Sequence, residues 1–468
     1  QPILIIFSLK YDKNLNMPIT SILTGEIFKR KATVNQSRAF SLRKSSALIL
    51  LGILITYGIF ILKVQIFHSP PVLFLLLYSA AMTAFQFGRL LTVLFYEESL
   101  ERIRGKYSAN SLIGQDPYEP SVSFVIPCMN EEKAIRHTIN KCFEVDYPTH
   151  KVEVLVIDDG STDKTPEILD QLNQENDRLT VIKFAQNRGK RYAMVEGFKR
   201  ARGEIIVQLD SDSHLAQEGL RPLIEPFQNP SVGAACAHSD PANVDKNFLT
   251  KMQAAYYYMS FRILKAVEST FYTVFCCSGC ASAYRQSAVL AVLDEWSREN
   301  FLGLPVMYGD DRSLTTRVIK EGYKTIYTAE AQAYTIVPET FRQLIIQQVR
   351  WKKSWIINAI KTGKFIITQK PFIAILYFYP LVILSLINPF VALYALVYVP
   401  IVYGIWPIFY LAGIFLITAL IAVYYKVYGP QNRYWPYLFA WGAFSVTVLA
   451  PLLFYAAARI QNRSWGTR

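Results

Sequence analysis

The fold turns on the stretch Glu204-Ile205-Ile206-Val207-Gln208-Leu209-Asp210-Ser211-Asp212. Residues 204–209 form a mostly apolar run of strand length, and it stops at two carboxylates spaced i, i+2. Alternate side chains of an extended segment point the same way, so Asp210 and Asp212 converge. A convergent carboxylate pair at a strand end suits Mg²⁺ or Mn²⁺, hard cations that take oxygen ligands and bridge to a substrate diphosphate. The plainer alternative is a solvated turn with two acidic caps.

Working outward, strand-like and helix-like segments alternate. Strands are expected over 121–127, 152–159 and 180–184, and helices over 131–144, 163–175 and 190–201. This alternation predicts an α/β domain with a mainly parallel sheet and helices on both faces. In such sheets ligands bind at the carboxyl ends of the strands, where this chain carries Asn130-Glu131, Asp158-Asp159-Gly160 and Asp210-Ser211-Asp212. There is no GxGxxG and no GxxxxGK[ST], which removes the usual dinucleotide and P-loop readings.

Four further clusters can carry chemistry. Asp158 or Asp159 can accept hydrogen bonds from a base or ribose, or cap a strand–turn–helix junction. Asn187-Arg188-Gly189-Lys190-Arg191, ahead of a helix, suits a diphosphate or is a basic surface loop. Gly309-Asp310-Asp311-Arg312 opens a helix expected over 312–321. Asp310 suits its cap, and Asp311 is the candidate general base for transfer with inversion. Gln347-Gln348-Val349-Arg350-Trp351 falls on an amphipathic helix over 340–360. Gln347 and Arg350 share a face there, Trp351 offers a flat surface for a sugar ring, and Arg350 can pair with phosphate. The same helix also reads as a membrane-surface anchor. The pair Cys277 and Cys280 has CxxC spacing but no second ligand pair for zinc. A packed strand end near a substrate is the favoured reading.

The 468 residues are 52% hydrophobic and only 18% charged, too apolar for an ordinary soluble enzyme. Residues 371–425 contain no charged residue in 55 positions, room for two spanning helices, with Asn388, Pro389 and Pro400 placed to break the first. Two more apolar blocks, 45–67 and 70–96, read as a hairpin. The block 434–458 has Arg433 before it and Arg459 after it. Both flanks therefore look cytoplasmic by the positive-inside rule, and the block is expected to be re-entrant or interfacial, with Pro451 at its bend. The domain plan is a basic cytoplasmic segment 1–44, a hairpin 45–96, a cytoplasmic catalytic domain 97–337, interface helices 338–370, two membrane helices 371–425 and the segment 426–468. The net charge of +13 gathers at membrane edges and at the candidate diphosphate site, so anionic lipid and a phosphorylated substrate are favoured over nucleic acid.

Taken in order, VIPCMNEE (125–132), VIDDGS (156–161), DSD (210–212), GDDR (309–312) and QQVRW (347–351) resemble the processive membrane glycosyltransferases of family 2. Within them, FLGLP (301–305), NRGKR (187–191) and WGTR (465–468) are similar to bacterial-type hyaluronan synthases. The resemblance implies a GT-A catalytic domain set between transmembrane helices of a multi-pass plasma-membrane enzyme working as a monomer. It implies UDP-sugar donors, a growing polysaccharide, lipid contact and Mg²⁺ or Mn²⁺. It also implies roles. Asp158 or Asp159 would bind uridine. Lys190, Arg191 and Asp210 would lie at the diphosphate, with Asp212 holding the metal. Asp311 would be the base, and Cys276, Cys277 and Ser278 would form the loop under the acceptor sugar. Gln347, Arg350 and Trp351 would make the acceptor collar, and Trp465–Arg468 a gate near the donor. The loop Ser278-Gly279-Cys280 stands where the family usually has SGP, which leaves the sugars open. Hyaluronan from UDP-GlcA and UDP-GlcNAc is the leading product, with an N-acetylglucosamine polymer next. Two readings stand further off: a single-sugar transferase acting on a lipid phosphate, and a transporter with a cytoplasmic nucleotide-binding domain.

Overall fold

The computed structural model describes residues 70–111, 118–429 and 431–462. The expected segment 1–44, the first half of the hairpin (45–67), Trp465 and Arg468 lie outside the described residues.

The strand read first is β4 (Ile205–Gln208), and all four of its residues are buried. It pairs in parallel with β1 (Val122–Cys128), which pairs in parallel with β2 (Val152–Asp158), and that with β3 (Leu179–Lys183). β1 is buried along its whole length because helices cover both faces, so it reads as an unbroken apolar run rather than an alternating one. On the other side of β4 the sheet turns antiparallel through β7 (Ser282–Arg285) to β6 (Val232–Pro241). It then continues through β10 (Lys324–Thr335), parallel to β6, and ends on β5 (Ser213–Leu215). The order is β3-β2-β1-β4-β7-β6-β10-β5, with β8 (Asn300–Phe301) and β9 (Leu304–Pro305) as a separate small ribbon. The expectation of a mainly parallel sheet holds on the β3–β4 side, and β7 and the edge strand β5 run against the others.

The helices used below are α1 (Pro70–Val93), α2 (Tyr96–Ser111), α3 (Ile135–Phe143), α4 (Thr165–Glu175), α5 (Lys190–Arg200), α6 (Phe248–Met259), α7 (Gln286–Ser297), α8 (Asp310–Lys320) and α9 (Phe341–Gly363). α9 starts where its sequence dictates. Thr340 accepts from the Gln343 amide at 3.3 Å, and the Gln343 side chain accepts from the Thr340 amide at 3.2 Å, a reciprocal capping box. α8 begins two residues earlier than expected. Gly309, at φ 74°, supplies the left-handed entry that a side chain would resist.

Three described helices are long and apolar enough to cross a membrane: Leu73–Val93 within α1, α10 (Pro371–Tyr403) and Tyr410–Tyr428 within α11 (Ile408–Tyr428). Neither Pro389 nor Pro400 ends α10, contrary to the sequence expectation. π-helical turns at Ala374–Phe378 and Tyr394–Tyr398 absorb local irregularity in the hydrogen-bond ladder. The break falls at Gly404, which takes a left-handed cap conformation with its amide on the Pro400 carbonyl at 3.1 Å. The last apolar block forms α12 (Tyr437–Leu449) and α13 (Leu452–Ala458), bent by 42° across Ala450-Pro451.

Candidate active site

The carboxyl ends of β1, β2 and β4 open into a cavity of about 1960 Å³. Its floor is stitched from strand end to loop. The Asp210 amide donates to the Gly279 carbonyl at 2.9 Å, and a Cβ on Gly279 would stand 2.9 Å from Asp210 Oδ1, so the loop 276–280 lies directly on the aspartate. Asp212, nine-tenths buried, accepts from the Ser213 hydroxyl at 3.2 Å. Lys190, the first residue of α5, ion-pairs with Asp210. Burial works against its charge, but Asp210, with Asp310 and Asp311, more than offsets it and raises its pKa.

Both oxygens of Asp159 are engaged by backbone. Oδ1 accepts from the Arg188 amide at 2.7 Å and Oδ2 from the Gly189 amide at 2.8 Å. Asp159 therefore lines the cavity and also clamps the loop that delivers Lys190. Burial raises its pKa, opposed by those two amides. Asp158 is buried off the cavity and caps the turn, accepting from the Ser161 amide at 3.0 Å.

Asp311 lies directly against the loop. Its Oδ2 accepts from the Gly279 amide at 3.2 Å and lies 3.6 Å from Cys276 Sγ, while Oδ1 accepts from the Arg312 amide at 2.7 Å. Thr315 extends the stitch, taking the Cys277 amide at 3.0 Å on its hydroxyl and donating to the Asp311 carbonyl at 2.8 Å. Burial, reinforced by the Asp311 charge, pushes the Cys276 thiol up to about 12, which keeps it protonated beside the carboxylate. All described cysteines are free thiols. Gln347, Arg350 and Trp351 of α9 line the same cavity. Burial lowers the Arg350 pKa against the pull of Asp210, Asp311 and Asp310.

Of the residues singled out from sequence, the structure brings Asp159, Lys190, Asp210, Asp212, Cys276, Ser278, Asp311, Gln347, Arg350 and Trp351 to one cavity. Cys277, within the loop, is fully buried and does not line the cavity. Arg191 is not at the cavity either. It is 3% exposed and donates to Asp310 at 2.7 Å, so Asp310 is an ion-pair partner in place of the helix cap expected of it. Two residues escaped the sequence reading. Gln208 is fully buried and lines the cavity with both side-chain polar atoms lacking a partner among the described residues. A polar residue inside an apolar strand, two before Asp210, was its signal. Glu299 gave no such signal, since its partners are distant in sequence.

The metal donors on offer are two carboxylates. Among the described residues no group of three or more His, Cys, Asp and Glu side chains is placed to hold a metal. That set fits Mg²⁺ or Mn²⁺ binding completed by substrate phosphate oxygens, the usual arrangement where one or two carboxylates serve. Asp212 and Asp210 would hold the ion, which would neutralise charge on a leaving diphosphate.

Residues 123–293 match the profile of Glycosyl transferase family 2. A hyaluronan synthase of Streptococcus pyogenes serotype M3 is 31% identical over 361 residues, covering 75% of this chain and 84% of the relative. An N-acetylglucosaminyltransferase of Rhizobium sp. strain N33 is 32% identical over 252 residues, 53% of this chain and 55% of the relative. The mannosyltransferase of Pyrobaculum calidifontis, solved with GDP-Man and Mn²⁺, superposes with a TM-score of 0.53 at 22% identity, covering 82% of this chain and 98% of its own, which shows a shared fold. The GT-A sheet, the carboxylates at its strand ends and the extent of identity with hyaluronan synthase place the chain in glycosyltransferase family 2.

Proposed function

We propose that this enzyme is a processive inverting glycosyltransferase that polymerises UDP-activated sugars into a β-linked polysaccharide and passes it across the membrane. The observation that carries the reading is the continuity of the cavity. The cavity lined by Asp159, Lys190, Asp210, Asp311 and Trp351 is also lined by Ser385 and Asn388 of α10 and by Leu453 of α13. Donor, acceptor and exit path share one space.

In the proposed reaction the acceptor hydroxyl oxygen attacks the anomeric carbon of the donor. The bond from that carbon to the diphosphate oxygen breaks, UDP leaves, and Asp311 takes the hydroxyl proton. Lys190 and Arg350 stabilise the departing diphosphate, and the Trp351 ring seats the acceptor sugar. Trp465 and Arg468 take the gating role that the family resemblance implies. The catalytic domain faces the cytoplasm, because the cations Lys29, Arg30, Lys31, Arg38, Arg43 and Lys44 precede the first apolar block. The enzyme acts as a monomer in contact with membrane lipid.

Hyaluronan from UDP-GlcA and UDP-GlcNAc is the product favoured by the identity with hyaluronan synthase across three-quarters of the chain. An N-acetylglucosamine polymer is the second reading, favoured by the rhizobial N-acetylglucosaminyltransferase. The test is purified protein in nanodiscs with Mg²⁺ or Mn²⁺ and the two UDP-sugars, singly and paired. UDP release and product digestion by hyaluronidase or chitinase are read together. Polymer that needs both donors and yields to hyaluronidase supports the first reading. Polymer from UDP-GlcNAc alone overturns it in favour of the second.

A further inference from the structure

Three helices that carry the site meet at one carboxylate. Glu299 lies just beyond α7, and its side chain is fully buried. Oε2 accepts from Arg191 Nη1 of α5 at 2.8 Å and from the Ser313 hydroxyl of α8. Oε1 accepts from Lys361 of α9 and lies 3.4 Å from Arg317 Nη1 of α8. Arg191 Nε donates in turn to Asp310 Oδ1 at 2.7 Å. Three cations thus surround two carboxylates. Burial resists the charge on Glu299, but Arg191, Arg317 and Lys361 hold its carboxyl near 2.

Each partner is locked to a residue of the cavity by helix geometry. Arg191 follows Lys190, the ion-pair partner of Asp210. Asp310 precedes Asp311, so fixing Asp310 sets the rotation of the first turn of α8. Lys361 and Arg350 are eleven residues apart, about three turns at 3.6 residues per turn, and so lie on one side of α9. A pull on Lys361 therefore sets which way Arg350 faces.

We propose that Glu299 is a positioning residue for the transfer. By binding α5, α8 and α9 at once, it holds Lys190, Arg350 and the base Asp311 in one frame. The proposal rests on the reading of Asp311 as base given above. Glu299 touches no substrate and acts only through its three helices. A group acting this way affects alignment in the reaction, and misplacement of about 1 Å costs about 100-fold in rate.

The experiment compares Glu299→Gln, Lys361→Met and the double variant with the unaltered enzyme, all in nanodiscs with UDP-sugars. It reads elongation kcat, donor KM, and UDP released per sugar incorporated. The expected result for Glu299→Gln is a fall in kcat of about 100-fold with donor KM within about twofold, the split of an interaction that matters to transfer and not to donor binding. UDP release per incorporated sugar rises, because an activated donor no longer meets an aligned acceptor. Lys361→Met, which leaves Glu299 with both guanidiniums, lowers kcat in the same pattern and adds little in the double variant. A Glu299→Gln enzyme with unaltered kcat and coupling overturns the assignment. So do effects of the two substitutions that multiply in full, or activity lost only in proportion to folded protein. An unaltered enzyme that turns over no UDP-sugar overturns the functional reading itself, and the Glu299 role with it.

Discussion

The Gly279 amide points at Asp311 Oδ2 from 3.2 Å, while the Gly279 carbonyl accepts from the Asp210 amide at 2.9 Å. One residue thus joins the strand end proposed to receive the donor to the carboxylate proposed as base. The separation between the two is set by the two peptide units that meet at the Gly279 Cα.

Asp311→Asn keeps this geometry, since an amide oxygen still accepts from Gly279, but it removes the proton acceptor. Elongation should fall by about 10²–10⁴-fold, the usual contribution of a positioned general base. UDP affinity, measured by calorimetry, should stay unchanged. Polymer at the normal rate would sink the assignment of Asp311.

Gly279→Ala places a methyl 2.9 Å from Asp210 Oδ1 and 3.1 Å from Gln208 Nε2. The loop must lift from the strand end, carrying its amide away from Asp311. We expect at least about a tenfold loss of kcat, with a loss of stability of about 1–3 kcal/mol typical of overpacking. Steady-state kinetics and thermal melting in detergent check the two parts. An active, equally stable variant contradicts the close approach.

Trp351→Ala should abolish elongation, and Trp351→Phe should restore part of it, because the ring face and not the indole nitrogen is the proposed seat. Product length on gels reads the difference. If Ala and Phe behave alike, Trp351 is only a membrane-surface residue.

Stability should depend on acid through Glu299. Its carboxyl is held near 2, below the ordinary carboxylate value, so its contribution is complete above about pH 4.5 and is lost as pH falls toward 2. The shift corresponds to about 3 kcal/mol. The gap in melting between the unaltered enzyme and Glu299→Gln should shrink by about half or more from pH 7 to pH 3. A constant gap across that range would show that the carboxyl does not titrate as described.

Much of the fold was legible because it is written locally. β1, β2, β3 and β4 are apolar runs that end in polar clusters, and each appears within a few residues of its expected place. The cavity residues Asp210, Asp212 and Asp311 were legible for the same reason, since strand and helix ends mark them. What was hidden depends on partners far along the chain. Arg191 and Asp310 each looked like part of a local feature, a phosphate loop and a helix cap, yet they pair across 119 residues. Glu299 stands in a loop with no neighbouring signal, and only the packing of α5, α8 and α9 gives it meaning. Pro389 and Pro400 misled in the opposite sense. Local rules make proline a breaker, and α10 runs through both with π-helical turns within it.

The left-handed Gly309 carries a consequence for how this sequence can change over generations. A methyl there would fall 1.9 Å from Ser354 Oγ, on a backbone that side chains already resist. Shrinking Ser354 to glycine relieves only the collision and leaves the backbone strain. No single step opens this position, because the collision with Ser354 and the left-handed backbone must both be answered. The residue that introduces Asp310 and Asp311 is closed to drift by single substitutions.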